Sequence, residues 1–250
     1  MNNTATLEKM HQLKLYGMAG AFKTALEAGW HNRFTIDELV AHLIDAEWDD
    51  RYNRKMKRLL KSARFRYQAT LEQIDFTLPR NLDKNALLRF SEGNWIQQKK
   101  NIIITGPTGV GKSFIATALG HQACVLGYKT RYYNCTKLFP MLTLYKADGS
   151  YYKQMQQIQK QAVLILDDFG LQKLETQSRL MLLEILEDRH GVQSTVIVSQ
   201  LPVTSWHEII DDKTIADAIC DRVIHTAYRL EIKGESVRKI YQFDGSKTAT

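Results

Sequence analysis

From about residue 100 onward, short apolar runs alternate with longer amphipathic stretches. The apolar runs predict strands near 101–105, 129–134, 162–167, 194–199 and 226–232, with helices between them. Regular strand–helix alternation predicts an α/β fold: a five-stranded parallel sheet with helices on both faces. The earlier part of the chain has a different period. Leu7, Met10, Leu13 and Leu15 recur at near-helical spacing, Gly17 and Gly20 interrupt the pattern, and Gly29 is a candidate helix stop. Thr35-x-x-Glu38 then reads as a capping box, and Ile36, Leu39, Val40, Leu43 and Ile44 make one apolar face of the helix that follows. Pro79 marks the transition. The expected division is a helical N-terminal domain, 1–75, and an α/β domain, 76–250.

Composition adds bounds. Hydrophobic residues make up 44% of 250, enough for a core. No apolar run reaches membrane-spanning length and the N-terminus lacks a signal-like apolar segment, so a cytoplasmic location is expected. Cys124, Cys135 and Cys220 are scattered and read as small core residues rather than zinc or disulfide pairs. The tail, 244–250, is expected to be disordered. The net charge of +7 favours polyanions weakly. Its distribution is more pointed: "RYNRKMKRLLKSARFR", 51–66, carries Arg51, Arg54, Lys55, Lys57, Arg58, Lys61, Arg64 and Arg66 with no acid. On one helix, Met56, Leu60, Ala63 and Tyr67 would share a side and Arg54, Arg58 and Lys61 another, a candidate contact for the phosphate backbone of duplex DNA. No base-reading motif accompanies it, so sequence-independent binding is expected. Tyr52, Phe65 and Tyr67, interleaved with these charges, read as packing residues.

The chemistry is most legible at 106–114. Gly106, Pro107, Thr108, Gly109, Val110, Gly111, Lys112, Ser113 and Phe114 follow an apolar strand and open a helix, the full Walker A pattern in its proper context. The glycines let backbone amides curl around phosphates, Lys112 reaches the β- and γ-phosphates, and Ser113 offers a hydroxyl to Mg²⁺. In "VLILDDFG", 163–170, Asp167 falls at the end of a buried strand, where it can hold Mg²⁺ together with Ser113; Asp168 is placed to polarise the attacking water. ATP is the expected nucleotide, since no guanine-reading N-K-x-D follows the later strands. Ser199 and Gln200 end another buried strand and could touch the γ-phosphate or its water. Arg222 follows the apolar face Ile215, Ile219, Val223. It reads either as an arginine finger for a neighbouring subunit or, on pattern alone, as a local ion pair with Asp217, Asp221 or Glu208.

"GPTGVGKS", "VLILDDFG", "VIVSQLPVTSWHEI" and "IADAICDRVIH" together resemble the IstB family, AAA+ ATPase helpers of insertion-sequence transposition and relatives of the DnaC helicase loader. "LKLYGMAGAFKTAL" and "RFRYQATLEQIDF" extend the likeness over residues 5–240. The resemblance implies an ATPase that forms a homo-oligomer on duplex DNA, bends it, and recruits and stimulates its cognate transposase. It implies that Arg222 acts in trans on a neighbour's ATP, that Ser199 or Gln200 is the sensor-1 position, and that Arg238 acts as a sensor-2-like arginine. It also implies that the insertion between strands two and three faces DNA, with Lys137, Lys146, Lys153 and Lys160 as secondary contacts. Only eighteen residues follow the last strand. The helical lid of wider AAA+ proteins is therefore expected to be absent or vestigial, and hydrolysis weak without assembly. A helicase loader and a monomeric small-molecule P-loop kinase are the alternatives.

Overall fold

The computed structural model describes residues 3–29, 35–225 and 227–237. The chain divides into two compact units, Met1–Arg58 and Leu59–Thr250, earlier than the boundary at 75/76 expected from the sequence. The difference has a packing cause. Leu59, Ala63 and Phe65 form a cluster with Cys124 of the nucleotide domain, and Ala69 and Ile74 join that domain's core.

In the first unit, α1 (Asn3–Gln12) and α2 (Tyr16–Glu27) precede the long α3 (Ile36–Ala63). The expected capping box is present: Thr35 N–H donates to Glu38 at 2.8 Å and Glu38 N–H to the Thr35 hydroxyl at 3.3 Å. Gly17 lies so close to α3 that a Cβ there would come 2.3 Å from the Ala46 carbonyl. Beside it, the Met18 amide donates to the buried Glu47 at 3.1 Å. α3 stops at Ala63, because Arg64 turns the chain with φ +56°. The basic run therefore does not occupy one helix: Arg64, Arg66 and Tyr67 lie beyond its end.

The second unit is built on five parallel strands, β1 (Asn101–Thr105), β2 (Thr130–Asn134), β3 (Val163–Phe169), β4 (Ser194–Ser199) and β5 (Ala227–Glu231). Their order is β2-β3-β4-β1-β5. Alternate residues feed two cores. Ile103, Leu164, Leu166 and Ile197 pack with α7 (Cys135–Ala147), α8 (Tyr151–Gln159), α9 (Thr176–Arg189), α10 (Trp206–Ile210) and α11 (Lys213–Ile224). Ile102, Ile104, Ile165, Val196 and Val198 pack with α4 (Lys84–Ser91), α5 (Asn94–Gln97) and α6 (Lys112–Val125). All five strands and the sheet class match the sequence expectation; β3 runs two residues further than expected, through Asp168 and Phe169. Cys124, Cys135 and Cys220 are buried free thiols. Among the described residues beyond β5 there is no helical lid, only a short return over the P-loop: Lys233 N–H donates to the Arg80 carbonyl and Val237 N–H to that of Gly109, each at 3.0 Å. No described helix is long and apolar enough to cross a membrane.

One buried cation ties the ends of three elements together. Arg189, 1% exposed at the end of α9, donates to the carbonyls of Ile158, Gln161 and Ser194 and to the Thr195 hydroxyl. Arg189→Met leaves those acceptors buried without their donor, so urea unfolding should show a loss of about 3 kcal/mol or more. A loss under about 1 kcal/mol would show that these bonds contribute little.

Candidate functional site

The site lies at the C-terminal ends of the strands, where parallel sheets bind ligands. β1 ends at Thr105, residues 106–111 form a loop, and α6 begins at Lys112 with Gly111 as its left-handed cap. Gly106 has φ +146°, and a Cβ there would come 2.1 Å from the Ile232 carbonyl leaving β5. Only glycine lets the loop pass at that distance. The loop is propped from behind by Arg80, which is buried and donates to the carbonyls of Val110, at 3.1 Å, and Asp75.

Lys112 donates to the Pro107 carbonyl at 2.7 Å. Burial holds its ammonium below the usual lysine range, while Asp167 and Asp168 pull the other way. The Ser113 hydroxyl donates to Asp167 Oδ1 at 3.0 Å. Tyr132 donates its phenol to Asp167 Oδ2, and the Asp168 amide donates to Asp167 Oδ1 at 2.9 Å. Burial raises the Asp167 carboxyl above its ordinary range, and the bonds from Tyr132 and Ser113 oppose that rise. Burial also pushes the Tyr132 phenol upward, helped by the bond to Asp167 and its charge; neighbouring Arg66 works against them. Ser113 and Asp167 present a hydroxyl and a carboxylate oxygen side by side, the hard donor set that suits Mg²⁺ bound to phosphates.

Asp168 is held differently. The β3–β4 pairing is irregular between Leu166 and Phe169, and Asp168 there takes φ +57°. Aspartate tolerates this left-handed region better than most residues. Asp168 Oδ2 accepts from Asn134 Nδ2 at 2.6 Å and from Arg66 at 3.4 Å. Asn134 ends β2 in register with Asp167. A cavity of about 480 Å³ opens over these groups. Thr108, Gly109, Gly111, Lys112, Ser113, Phe114, Asp168 and Gln200 line it toward the loop. Arg66, Tyr67, Val237 and the segment Gln73–Leu78 contribute further wall.

The structure thus brings together the loop residues, Asp167, Asp168 and Gln200 expected from the sequence. Ser199 and Gln200 separate cleanly. Ser199 is fully buried; its hydroxyl donates to the Phe169 carbonyl at 2.9 Å and accepts from the Leu201 amide at 3.1 Å. Gln200 faces the cavity and accepts from the Thr108 hydroxyl at 2.7 Å. Arg222 lies elsewhere. Its carbonyl accepts from the Asn101 side chain, at the opposite end of β1 from the loop. Its guanidinium pairs with Glu187 at 2.5 Å, a partner on α9 rather than Asp217, Asp221 or Glu208. Arg238 lies outside the described residues, as do the tail and Thr226. Tyr132, Asn134, Arg80 and the 73–78 wall were missed. A signal for Asn134 existed, since it is a polar residue ending a predicted strand.

Of the basic candidates, Lys55, Lys57, Arg58, Lys61 and Arg64 are exposed. Arg51 and Arg54 are already engaged, with Glu47 at 2.6 Å and Asp50 at 2.7 Å respectively. Lys137 and Lys153 are exposed on α7 and α8, and Lys146 sits 4.7 Å from the Tyr151 ring centre. Arg66 is in the nucleotide cavity.

The sequence model described as IstB-like ATP binding protein matches residues 8–244. The chain belongs to this family. It is an AAA+ P-loop protein of the ATPase class, related to the proteins of insertion-sequence transposition. An insertion-sequence ATP-binding protein of Sinorhizobium fredii is 43% identical over 94% of this chain and 96% of its own length. The IS21 ATP-binding protein of Pseudomonas aeruginosa is 30% identical over 92% of this chain and 86% of its own. Among solved structures, DnaI covers 70% of this chain and 93% of its own at TM-score 0.56 and 22% identity. The DnaC helicase loader covers 71% and 99% at TM-score 0.51 and 19% identity. At those identities the likeness shows the fold.

The two strand-end polar residues separate by experiment. Ser199→Ala should lower stability by about 1–2 kcal/mol, through the buried carbonyl it leaves unserved, with ATP turnover largely kept. Gln200→Ala should leave stability within about 0.5 kcal/mol and slow turnover. Urea unfolding and a phosphate-release assay check both, and the reverse pattern would assign the phosphate-facing role to Ser199.

Proposed function

We propose that this protein is an ATP-dependent, sequence-independent DNA-binding regulator of transposition. It oligomerises on duplex target DNA, bends it, and recruits and stimulates the cognate transposase. The insertion-sequence relatives support the setting. The observation that carries the assembly reading is the placement of Arg222. This arginine is anchored at the end of β1 remote from the P-loop, so it is out of reach of its own nucleotide. A finger role is then open to it only toward another protomer.

Within one protomer the roles divide as follows. The 106–111 loop and the α6 N-terminus bind the phosphates, and Lys112 exchanges the Pro107 carbonyl for them. Ser113 and Asp167 would hold Mg²⁺, which when bound would supply charge neutralisation for the phosphates. Asp168 accepts a proton from water, oriented by Asn134. Gln200 and Thr108 close the γ-phosphate side. DNA contact is assigned to the exposed lysines and arginines of α3 and, secondarily, to Lys137, Lys146, Lys153 and Lys160. The helicase-loader alternative is supported by likeness of fold alone.

Arg222→Ala and Asp168→Asn should each bind ATP but hydrolyse it at least about 100-fold more slowly. Mixing the two with duplex DNA should restore turnover, because one supplies the pocket and the other the arginine. No recovery on mixing would contradict action in trans. For DNA, replacing the exposed Lys57, Arg58 and Lys61 with Glu should weaken binding to all duplexes alike. The slope of log affinity against log salt should become shallower by roughly one for each phosphate left without its cation. Unchanged affinity and slope would move the DNA surface off α3.

A further inference from the structure

Arg66 belongs to the basic run by sequence and to the nucleotide site by structure. Arg64, with φ +56°, turns the chain out of α3. Phe65 then inserts beside Leu59, Ala63 and Cys124. Its ring lies so close to Gly120 of α6 that a Cβ there would come within 2.8 Å. This packing fixes the backbone one residue before Arg66. The Arg66 side chain emerges into the cavity that Lys112, Ser113 and Asp168 also line. A DNA-facing residue needs no such anchor.

The charges around the cavity set its task. A nucleoside triphosphate carries about four negative charges, and its last phosphate is the one ADP lacks. Of the arginines and lysines lining the cavity, Arg80 is spent behind the loop on two backbone carbonyls, which leaves Lys112 and Arg66 in front. The bond from Arg66 to Asp168 is long at 3.4 Å, and the Arg66 side chain is 46% exposed. An ion pair of that kind is weak and exchangeable. A phosphate offers a guanidinium two parallel charge-assisted bonds, a better partner than one carboxylate oxygen at that length.

We propose that Arg66 is a γ-phosphate ligand supplied by the same protomer, and that without a γ-phosphate its guanidinium instead restrains Asp168. The proposal rests on the reading of this cavity as an ATP site and adds a state dependence to it. With ATP, Arg66 leaves Asp168 for phosphate. Asp168 keeps its bond from Asn134 and is released from the guanidinium. With ADP the pair between Arg66 and Asp168 persists. The segment that ends α3 thereby senses which nucleotide is bound.

Nucleotide binding separates this from a structural or a DNA role. Affinities for a non-hydrolysable ATP analogue and for ADP are measured by fluorescence titration on the full chain: wild type, Arg66→Ala, Arg66→Lys and Lys112→Ala. Arg66→Ala should weaken the ATP analogue about 10-fold or more, the loss expected of a charge-assisted contact, and leave ADP within about twofold. Arg66→Lys should recover part of the ATP preference, and retained ADP binding certifies that the two Arg66 variants are folded. Equal weakening of both nucleotides would overturn the proposal in favour of a structural prop. Unchanged nucleotide affinities with weakened duplex binding would overturn it in favour of DNA contact. If wild type binds neither nucleotide, or Lys112→Ala binds as wild type does, the ATP reading of the cavity itself falls.

Discussion

The hydrogen bond from Ser113 to Asp167 joins two strands that are not neighbours. β1 delivers Ser113 and β3 delivers Asp167, while β4 lies between them in the sheet. β4 ends level with both neighbours, its last residue Ser199 buried and paired with Thr105 of β1 and Phe169 of β3. Ser199 closes that end by bonding the Phe169 carbonyl and the Leu201 amide, which seats Gln200 above it against Thr108. Nucleotide chemistry is therefore concentrated over one strand end. The glycine at 106, the irregularity at Asp168 and the buried Arg80 are what this convergence requires of the backbone around it.

Much of this was legible in the sequence, for definite reasons. Five fully apolar or alternating runs gave the strands, because a parallel sheet covered on both faces buries nearly every residue of its central strands, as in β1 and β4. The phosphate loop was legible because its geometry demands particular residue types at fixed spacing. Arg80, Tyr132 and Asn134 were not, since each acts through a single side chain whose partner is far along the chain. Tyr132 and Asn134 reach Asp167 and Asp168 across a strand pair, and Arg80 reaches the loop from a segment with no motif. Position along a strand said which residues sit at its end, not which acid they hold.

The basic run shows the opposite failure, a strong pattern that misleads in part. Counting charges treated 51–66 as one surface. The structure divides it three ways. Arg51 and Arg54 neutralise acids of the same helix, the basic side chains from Lys55 to Arg64 face solvent, and Arg66 enters the cavity. The break comes from Arg64, a non-glycine residue in a left-handed turn, which no propensity announces. One consequence is functional. The segment that could feel DNA runs directly into the segment that faces the nucleotide, so polyanion contact and phosphate contact are neighbours along the chain.

The central claim is that the γ-phosphate, not the polypeptide alone, joins protomers around a double helix. Particle mass by sedimentation velocity, with duplex DNA and either a non-hydrolysable ATP analogue or ADP, tests it most directly. The account predicts a multi-protomer particle on DNA with the analogue and its loss with ADP. A single-protomer mass under every condition, or assembly indifferent to the nucleotide, would contradict it.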